Sequence, residues 1–201
     1  MKQWVPVQPR HFIQDQVAKS LATLQLLAAD ENITAEVERV ARVCSDALRG
    51  GKKILFAGNG GSAADAQHLA GELVSRLNFD RPGLAAFALT TDTSVLTAVG
   101  NDYGYDRVFA RQVSAVGASG DVFFGISTSG RSLNILRAFE EARAKRIVTV
   151  GLTGQTGGDM TPLCDYCIHI PSSETPKIQE GHIVLGHIIC GLIEQELFGG
   201  D

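Results

Sequence analysis

The sequence from residue 53 to residue 62 reads Lys53-Ile-Leu-Phe-Ala-Gly-Asn-Gly-Gly-Ser62. Its first half is almost continuously apolar, which is typical of a strand buried on both faces of a sheet. The glycines that follow let the backbone turn sharply and approach a ligand closely. A helical pattern begins directly afterwards, over Ala63–Arg76. This succession of strand, glycine loop and helix predicts an α/β fold.

The same alternation continues along the chain. Four further apolar runs predict strands at Leu84–Leu89, Asp121–Ile126, Ile147–Leu152 and Tyr166–Ile170. Helical patterns separate most of them, at Arg107–Val116, at Ser132–Lys145 and from about Lys177 to Phe198. Strands that alternate with helices predict a three-layer α/β/α sandwich around a five-stranded parallel sheet with right-handed crossovers.

Two helical patterns precede the sheet, within residues 10–49. The first runs from Phe12 to Ala28, and Thr34 is predicted to cap the second, which ends at Gly50. We expect one domain over residues 1–201, in which these helices precede an α/β core over residues 52–198. The two helices have more apolar surface than is needed to cover a five-stranded sheet, which favours helix-mediated oligomerisation.

Composition narrows the choice of function. The 201 residues are 44% hydrophobic and can bury a core, which excludes a disordered tail and a disulfide-dense miniprotein. The net charge of −4 and the lack of a long basic run argue against a nucleic-acid partner. The N-terminus lacks the apolar region of a signal peptide, and the most apolar stretch, Ile183–Ile193, is too short to cross a bilayer. We therefore expect no membrane partner and a cytoplasmic location.

Cys164 and Cys167 form a C-x-x-C pair. A closed zinc site would need a second pair, which the sequence lacks. The pair also leads into a predicted strand, whereas a redox motif normally opens a helix. Buried structural thiols are favoured, and redox or metal chemistry stays open as the alternative.

The loop Gly58–Ser62 lies where ligands bind in such sheets, at the carboxyl end of a strand. Ser62 can cap the next helix, and Asp65 completes the pattern of a capping box. A plain tight turn is the simpler interpretation. The loop also fits a relaxed dinucleotide fingerprint, but the acid nearest the end of the second strand, Asp92, lies too far along the chain. NAD or FAD is therefore disfavoured.

A second loop, Ser127-Thr-Ser-Gly-Arg-Ser132, offers four hydroxyls and a glycine just before a helix. Free backbone N–H groups and the positive end of the helix dipole would hold a phosphate there. The loop lacks the lysine and spacing of a P-loop, so a sugar phosphate suits it better than a nucleoside triphosphate. Simple N-capping by Ser129 or Ser132 is the alternative.

Several polar residues on helices could hold a metal. His68 and Glu72 are four residues apart, which places both on one helix face within reach of a single ion. The last helix contains His182 and His187 among apolar residues, where a lone histidine is more often part of the core. Asn101-Asp102 is predicted as a polar turn.

Five motifs together are specific. They are Gly58-Asn-Gly-Gly-Ser62, Ala66-Gln-His68-x-x-Gly-Glu72, Val99-Gly-Asn-Asp102, Gly125-Ile-Ser-Thr-Ser-Gly-x-Ser132, and Ile178-Gln-Glu-x-His182 with His187 following. With these motifs the sequence resembles the phosphoheptose isomerases, a family of the SIS, or sugar isomerase, fold. The resemblance runs from about Phe12 to Phe198 and implies a flavodoxin-like SIS domain. It also implies conversion of D-sedoheptulose 7-phosphate to D-glycero-D-manno-heptose 7-phosphate through an enediol, for the heptose of bacterial lipopolysaccharide.

The resemblance further implies a homotetramer with active sites at subunit interfaces and one Zn²⁺ ion per subunit. Positions that match the family's zinc ligands are His68, Glu72, Gln179 and His187. Positions that match its substrate contacts are Asn59, Gly60, Gly61, Glu72, Asn101, Asp102, Ser127, Thr128, Ser129, Ser132 and Gln179. Such an isomerase needs a base at carbon and a group that moves a proton between two oxygens. We assign these catalytic roles to Glu72 and His187.

A sister group with the same fold gives an alternative, a non-catalytic SIS-domain protein that binds the replication initiator DnaA. In that group the positions of Glu72 and His187 hold other residues, so the presence of both here favours the isomerase. The chain departs from the family pattern at Pro176, where some members have an acid. Because proline is tolerated in the first turn of a helix, we interpret this change as neutral.

Gln179 and His187 are eight residues apart on one predicted helix, which corresponds to about 12 Å of rise. A zinc ligand atom lies only about 2 Å from the metal. One chain could supply both ligands only if the helix began irregularly near Gln179 or both side chains stretched along its axis. We therefore expect a metal site shared across a subunit interface, with either Gln179 or His187 supplied by a neighbouring chain, so that Glu72 and His187 can come from different chains.

Overall fold

Five strands form one parallel sheet in the computed structural model of the chain, which describes residues 8–200. The strands are β1 (Ile54–Gly58), β2 (Ala86–Ala88), β3 (Val122–Ile126), β4 (Val148–Gly154) and β5 (Tyr166–Ile170). Their order across the sheet is β2-β1-β3-β4-β5, and every neighbouring pair is parallel. The first strand of the chain, β1, lies inside the sheet between β2 and β3, so the carboxyl ends of β1 and β3 are next to each other.

Seven α-helices accompany the sheet within the described range. They are α1 (Pro9–Ala29), α2 (Glu31–Arg49), α3 (Gly61–Val74), α4 (Thr93–Tyr103), α5 (Val108–Val116), α6 (Leu133–Ala144) and α7 (Thr175–Phe198). Two apolar clusters cover the sheet, one with α2, α3 and α7 and the other with α4, α5 and α6. The predicted three-layer α/β/α sandwich is confirmed.

Strand β1 shows why this sequence forms a central strand. All five of its residues are buried. Ile54 and Phe56 belong to the cluster on one face, and Leu55 and Ala57 belong to the cluster on the other. Because successive side chains in a strand point to opposite faces, a continuous apolar run is needed when helices cover both.

The two N-terminal helices form where they were predicted, but Thr34 is not the cap of the second. Asp30 is the cap instead, because its carboxylate accepts hydrogen bonds from the backbone N–H groups of Asn32 and Ile33. Thr34 lies in the first turn, and its hydroxyl donates to the Asp30 carbonyl. Asp30 is the better cap because its side chain reaches the free donors of the first turn, whereas Thr34, the fourth residue of the helix, lies beyond them.

The sequence did not predict α4. Asn101 and Asp102, expected in a turn, lie in the last turn of this helix. The overlooked signal is Asp92, whose side chain accepts a hydrogen bond from the backbone N–H of Val95 and caps the helix. The second strand is also shorter than the predicted Leu84–Leu89, because β2 is an edge strand that pairs only over its three central residues.

Helix α7 begins at Thr175, two residues before the predicted start, with Pro176 in its first turn. This agrees with the interpretation of Pro176 as a residue that opens the helix. Among residues 8–200, no helix combines the length and the apolar character needed to cross a membrane.

His182 lies in the core, as the apolar pattern around it indicates. It has no exposed surface, and its Nε2 atom lies 3.2 Å from the Thr153 carbonyl oxygen, to which it donates. The Nδ1 atom has no partner. Burial lowers the pKa of His182 to about 4, and the hydrogen bond to Thr153 opposes this only partly.

We predict that Gly125→Ala destabilises the protein by about 1–3 kcal/mol, because added volume in a packed core forces strain. A Cβ atom at Gly125 would lie 2.6 Å from Cε2 of Phe139 and 2.9 Å from Cγ2 of Ile135. Gly71→Ala on α3 is the matched control, because a Cβ atom there meets nothing within 4 Å. Urea unfolding of both variants measures the difference, and a Gly125→Ala protein as stable as the wild type would contradict the packing argument.

We also predict that His182 makes the protein less stable as the pH falls from about 6.5 towards 4. In that window the unfolded histidine binds a proton that the folded one, with its pKa of about 4, does not. His182→Gln, which keeps a side-chain donor but cannot titrate, should flatten the pH dependence of the free energy of unfolding. His11→Gln, at an exposed position, is the control, and equal slopes in both variants would disprove the assignment.

Candidate functional site

Helices α3 and α7 bring three of the predicted metal ligands together. His68 and Glu72 lie one turn apart on α3, and the His68 Nε2 atom is 3.2 Å from Glu72 Oε1. His187 on α7 places its Nε2 atom 2.8 Å from that of His68. One ligand atom from each residue lies within 4.8 Å of the others. About half of the His68 side chain is exposed and Glu72 is largely covered, so solvent reaches the group from one side.

The chemistry of these three donors fits a zinc ion. Two imidazole nitrogens and one carboxylate form a ligand set used by catalytic zinc sites, which keep a further position open for water or substrate. Bonds of about 2 Å in a tetrahedral arrangement place ligand atoms about 3.3 Å apart. The separations of 2.8 and 3.2 Å in this group are close to that value. His68, Glu72 and His187 could therefore hold the ion with small shifts of their side chains.

This group bears on one part of the expected shared site, because Glu72 and His187 meet within one chain. Their approach depends on Gly186, where a Cβ atom would lie 2.7 Å from Cδ2 of Leu69 on α3. The missing side chain lets α7 pack closely against α3 beside both histidines. Glu72 and His187 therefore need not come from different chains, and a site to which a neighbouring chain contributes Gln179 stays a prediction.

Gln179 lies elsewhere on α7. The helix is continuous from Thr175, so it does not begin irregularly at this residue. The Gln179 amide packs against Gly61, where an added Cβ atom would overlap it. This contact places Gln179 at the glycine loop, about two turns of helix from His187. Its role as a zinc ligand or substrate contact stays a prediction.

The glycine loop connects β1 to α3 without the expected side-chain cap. Helix α3 begins at Gly61 after Gly60, which has a φ of 57° that favours glycine. Ser62 therefore falls inside the first turn, where it is buried, and no side chain caps the helix. Asp65 does not complete a capping box either, because its Oδ2 atom is buried without a partner. Burial raises the pKa of Asp65, although His68 opposes this.

Asn59 joins the glycine loop to α6. Its amide exchanges two hydrogen bonds with the amide of Asn134, of 2.9 and 2.8 Å. The Tyr105 hydroxyl donates at 3.3 Å to Asn59 Oδ1, which also accepts from the Asn134 amide. These contacts fix the side chain of Asn59 at the carboxyl edge of the sheet. Neither Asn134 nor Tyr105 was predicted as a partner, because they are distant in sequence and belong to no recognised motif.

The serine loop, Ser127–Ser132, occupies the same edge after β3. The hydroxyls of Ser127 and Ser132 are 2.9 Å apart, and the Ser129 hydroxyl accepts a hydrogen bond from the backbone N–H of Arg131. Helix α6 has no side-chain cap, so neither Ser129 nor Ser132 serves simply as an N-cap. Residues outside the loop fix the position of Gly130, because its carbonyl accepts hydrogen bonds from the backbone N–H groups of Asp159 and Met160.

A polar cavity of about 240 Å³ opens beside this loop. Thr128 and Ser129 line it together with Arg131, which contributes a guanidinium. The motif contains Arg131, but sequence reasoning did not list it as a binding residue. The first turn of α7 completes the wall with Thr175 and Ile178. The cavity thus combines hydroxyl groups with a positive charge, a combination that binds phosphate well.

Asn101 and Asp102 are both exposed on α4. The Asn101 amide donates a hydrogen bond of 2.8 Å to the Asp102 carboxylate. Their predicted contact with substrate stays a prediction.

The C-x-x-C pair lies away from the His68–Glu72–His187 group. Cys164 and Cys167 are free and half-buried, and the Cys164 thiol donates to the Met160 carbonyl at 3.2 Å. Contact with Cys167 and burial raise the pKa of the Cys164 thiol. Among residues 8–200, no cluster of three or more potential ligands includes the pair. This does not support a metal site there, and redox chemistry stays open.

Comparison with known proteins places the chain in a family. The SIS domain matches residues 18–154. The phosphoheptose isomerase of Burkholderia pseudomallei strain 1710b is 58% identical over 94% of the chain and 95% of its own length. The phosphoheptose isomerase of Aneurinibacillus thermoaerophilus is 57% identical over 93% of the chain and 94% of its own length. These relatives give no support to the alternative of a DnaA-binding protein.

Solved structures agree with the sequence comparison. The phosphoheptose isomerase GmhA of Neisseria gonorrhoeae superposes with a TM-score of 0.88 at 40% identity, over 94% of the chain and all of that structure. A phosphoheptose isomerase of Francisella tularensis gives a TM-score of 0.89 at 35% identity, with the same coverage. The chain therefore belongs to the phosphoheptose isomerase family of SIS-domain proteins, a family of aldose–ketose isomerases that act on sugar phosphates.

Proposed function

We propose that the protein converts D-sedoheptulose 7-phosphate to D-glycero-D-manno-heptose 7-phosphate, for the heptose of lipopolysaccharide. The observation that carries this proposal is the meeting of His68, Glu72 and His187 on two helices, one of which also reaches the serine loop. Ile178 lines the cavity of that loop, and His187 follows nine residues later on the same helix. This separation is about 13.5 Å along the axis, a span that two side chains and an open-chain sugar phosphate can bridge.

The phosphate end of the substrate would lie in the cavity beside the serine loop. Thr128 and Ser129 line this cavity with their hydroxyls, and Ser127 and Ser132 would contribute theirs from the same loop. The N-terminus of α6 adds backbone N–H groups and the positive end of its dipole. Asn59, Gly60 and Gly61 of the neighbouring loop, with Gln179 packed against them, would contact the carbon chain. Asn101 and Asp102 would contact it from α4. A phosphate held far from the reacting carbons fixes the position of those carbons.

Glu72 would act as the base at carbon. It removes a proton from C1 of the ketose to give the enediol and returns it to C2, which forms the aldose. His187 would take the proton of the C1 hydroxyl and supply one to the oxygen on C2, because an imidazole accepts and donates protons near neutral pH. Both residues lie against His68, so the two proton transfers would occur within one small volume.

One zinc ion per subunit would be held by His68, Glu72 and His187, with Gln179 as the further ligand implied by the family. When bound, zinc acts as a Lewis acid that stabilises negative charge on the substrate oxygens. The donor set and the spacing within the triad support this proposal.

We also propose that each subunit is one domain over residues 1–201. Four subunits would form a homotetramer with active sites near its interfaces. Helix α1 supports this, because it leaves several large apolar side chains exposed. They are Phe12, Ile13, Val17, Leu21 and Leu26. Apolar surface of this extent on a single helix is typical of a contact between proteins. The cytoplasmic location expected from the sequence stays a prediction.

The experiment that tests the function is incubation of the purified protein with D-sedoheptulose 7-phosphate, with and without a chelator, while NMR follows the aldose.

We predict that Glu72→Gln lowers kcat by about 10²–10⁴, the usual contribution of a positioned acid or base. Zinc content is measured beside the rate, because the substitution also removes a proposed ligand. Glu140→Gln, which alters an exposed ion pair with Arg137, is the matched control. A Glu72→Gln enzyme with a tenth of the wild-type turnover would place the base elsewhere.

We predict that the double substitution Ser129→Ala and Ser132→Ala raises KM by about tenfold or more, since hydrogen bonds to charged groups contribute roughly 1.5–3 kcal/mol each. The effect on kcat should be smaller, because the phosphate is bound equally in the ground and transition states. Steady-state kinetics measures both constants. Ser114→Ala, at an exposed position on α5, is the control, and an unchanged KM in the double variant would rule out the phosphate assignment.

A further inference from the structure

A buried ion pair joins α7 to the segment that follows α3. Arg81 Nε donates to Glu194 Oε1 at 3.1 Å, and the two side chains are only 2% and 0% exposed. The same carboxylate accepts hydrogen bonds of 2.8 Å from the backbone N–H groups of Leu77 and Asn78. Glu194 on α7 therefore fixes Leu77, Asn78 and Arg81 in the segment between α3 and β2.

Arg81 uses its remaining donors on the end of α3. One terminal nitrogen donates to the Glu72 carbonyl at 2.8 Å, and the other donates to the carbonyls of Leu73 at 2.6 Å and Ser75 at 3.1 Å. The last carbonyls of a helix have no partner within it. A cationic group at this end satisfies them and interacts favourably with the helix dipole. Arg81 thus binds the backbone carbonyl of Glu72 itself.

The other end of the ion pair lies on the same face of α7 as His187. Glu194 follows His187 by seven residues, which is about 10.5 Å of rise and only about 20° short of two full turns. His187 contacts α3 through His68, and Glu194 contacts the end of α3 through Arg81. Two points on one face of α7 are therefore tied to two points on α3, which are His68 and the end of the helix that begins at the Glu72 carbonyl.

We propose that Arg81, held by Glu194, is a positioning residue that fixes the Glu72 carboxylate against His187. This inference rests on the proposed function of Glu72. Apolar packing between α3 and α7 supplies attraction but tolerates small axial shifts, whereas a planar guanidinium that binds defined carbonyls does not. A displacement of about 1 Å in a catalytic group can lower turnover by about 10². Groups that orient metal ligands typically change metal affinity or activity by about 10–100-fold when they are replaced.

The test uses Arg81→Lys in the full-length protein. Lysine keeps the charge for Glu194 but cannot bind that carboxylate and the carbonyls of Glu72 and Leu73 together. We expect kcat to fall about 10–100-fold with KM within about twofold of the wild type, and zinc affinity, measured on apoprotein by competition with a chelator, to fall in parallel. The matched control is Arg49→Lys, which alters another bond to α7, through Glu196, that does not involve α3. The control should keep both values.

A double variant separates positioning from general destabilisation. If Arg81 acts through Glu72, then Arg81→Lys should lower the turnover of the Glu72→Gln enzyme by no more than about twofold, because coupled residues are not additive. A further tenfold loss in the double variant would overturn the proposal. So would a folded Arg81→Lys protein that matches Arg49→Lys in both kcat and zinc affinity.

If Arg81→Lys does not fold, Glu194→Gln gives the same readouts, because its amide oxygen can still replace Oε1, which accepts from Leu77 and Arg81, while the charge and the bond from Asn78 to Oε2 are lost. Failure of the proposed function is seen separately. If the wild-type protein binds zinc but leaves D-sedoheptulose 7-phosphate unchanged, the proposed substrate is wrong. The role of Arg81 is then tested by zinc affinity without the kinetic measurements. Equal zinc affinity in the wild type and the folded Arg81 or Glu194 variant would overturn it.

Discussion

Helices α3 and α7 meet at Gly186, where the absence of a side chain leaves room for Leu69. A Cβ atom at this position would lie 2.7 Å from the Leu69 side chain. The histidines are the immediate neighbours of these two residues, His68 before Leu69 and His187 after Gly186. Close packing at one glycine therefore brings two imidazoles, on elements far apart in the chain, within 2.8 Å of each other. The proposed metal chemistry depends on this contact.

The parallel sheet supplies the other half of the site. Strands β1 and β3 are neighbours, so the glycine loop and the serine loop leave the sheet side by side. The amide pair of Asn59 and Asn134 ties the first loop to the helix that follows the second. Helix α7 passes both regions, with Ile178 at the cavity of the serine loop and His187 at the metal ligands. A single rigid helix thus sets the distance between the proposed phosphate site and the reacting atoms.

Local patterns in the sequence were sufficient for most of the fold. The apolar run of β1 and the glycines after it predict a strand buried on both faces and the turn that leaves it, because these properties depend on neighbouring residues only. The misplaced cap at Thr34 and the missed helix α4 have one cause, since in both cases an aspartate, Asp30 or Asp92, caps the helix. Which polar residue satisfies the free N–H groups depends on side-chain geometry that spacing alone does not specify.

The sequence by itself determined the type of fold, the family, and the residues that could bind metal or phosphate. Only the tertiary structure decided which of them meet. It brought Glu72 and His187 together within one chain and left Gln179 at the glycine loop. It also paired Arg81 with Glu194, two residues that no motif had singled out. The reason is that helical spacing gives positions along one helix, whereas contacts between two helices depend on how closely their side chains let them pack.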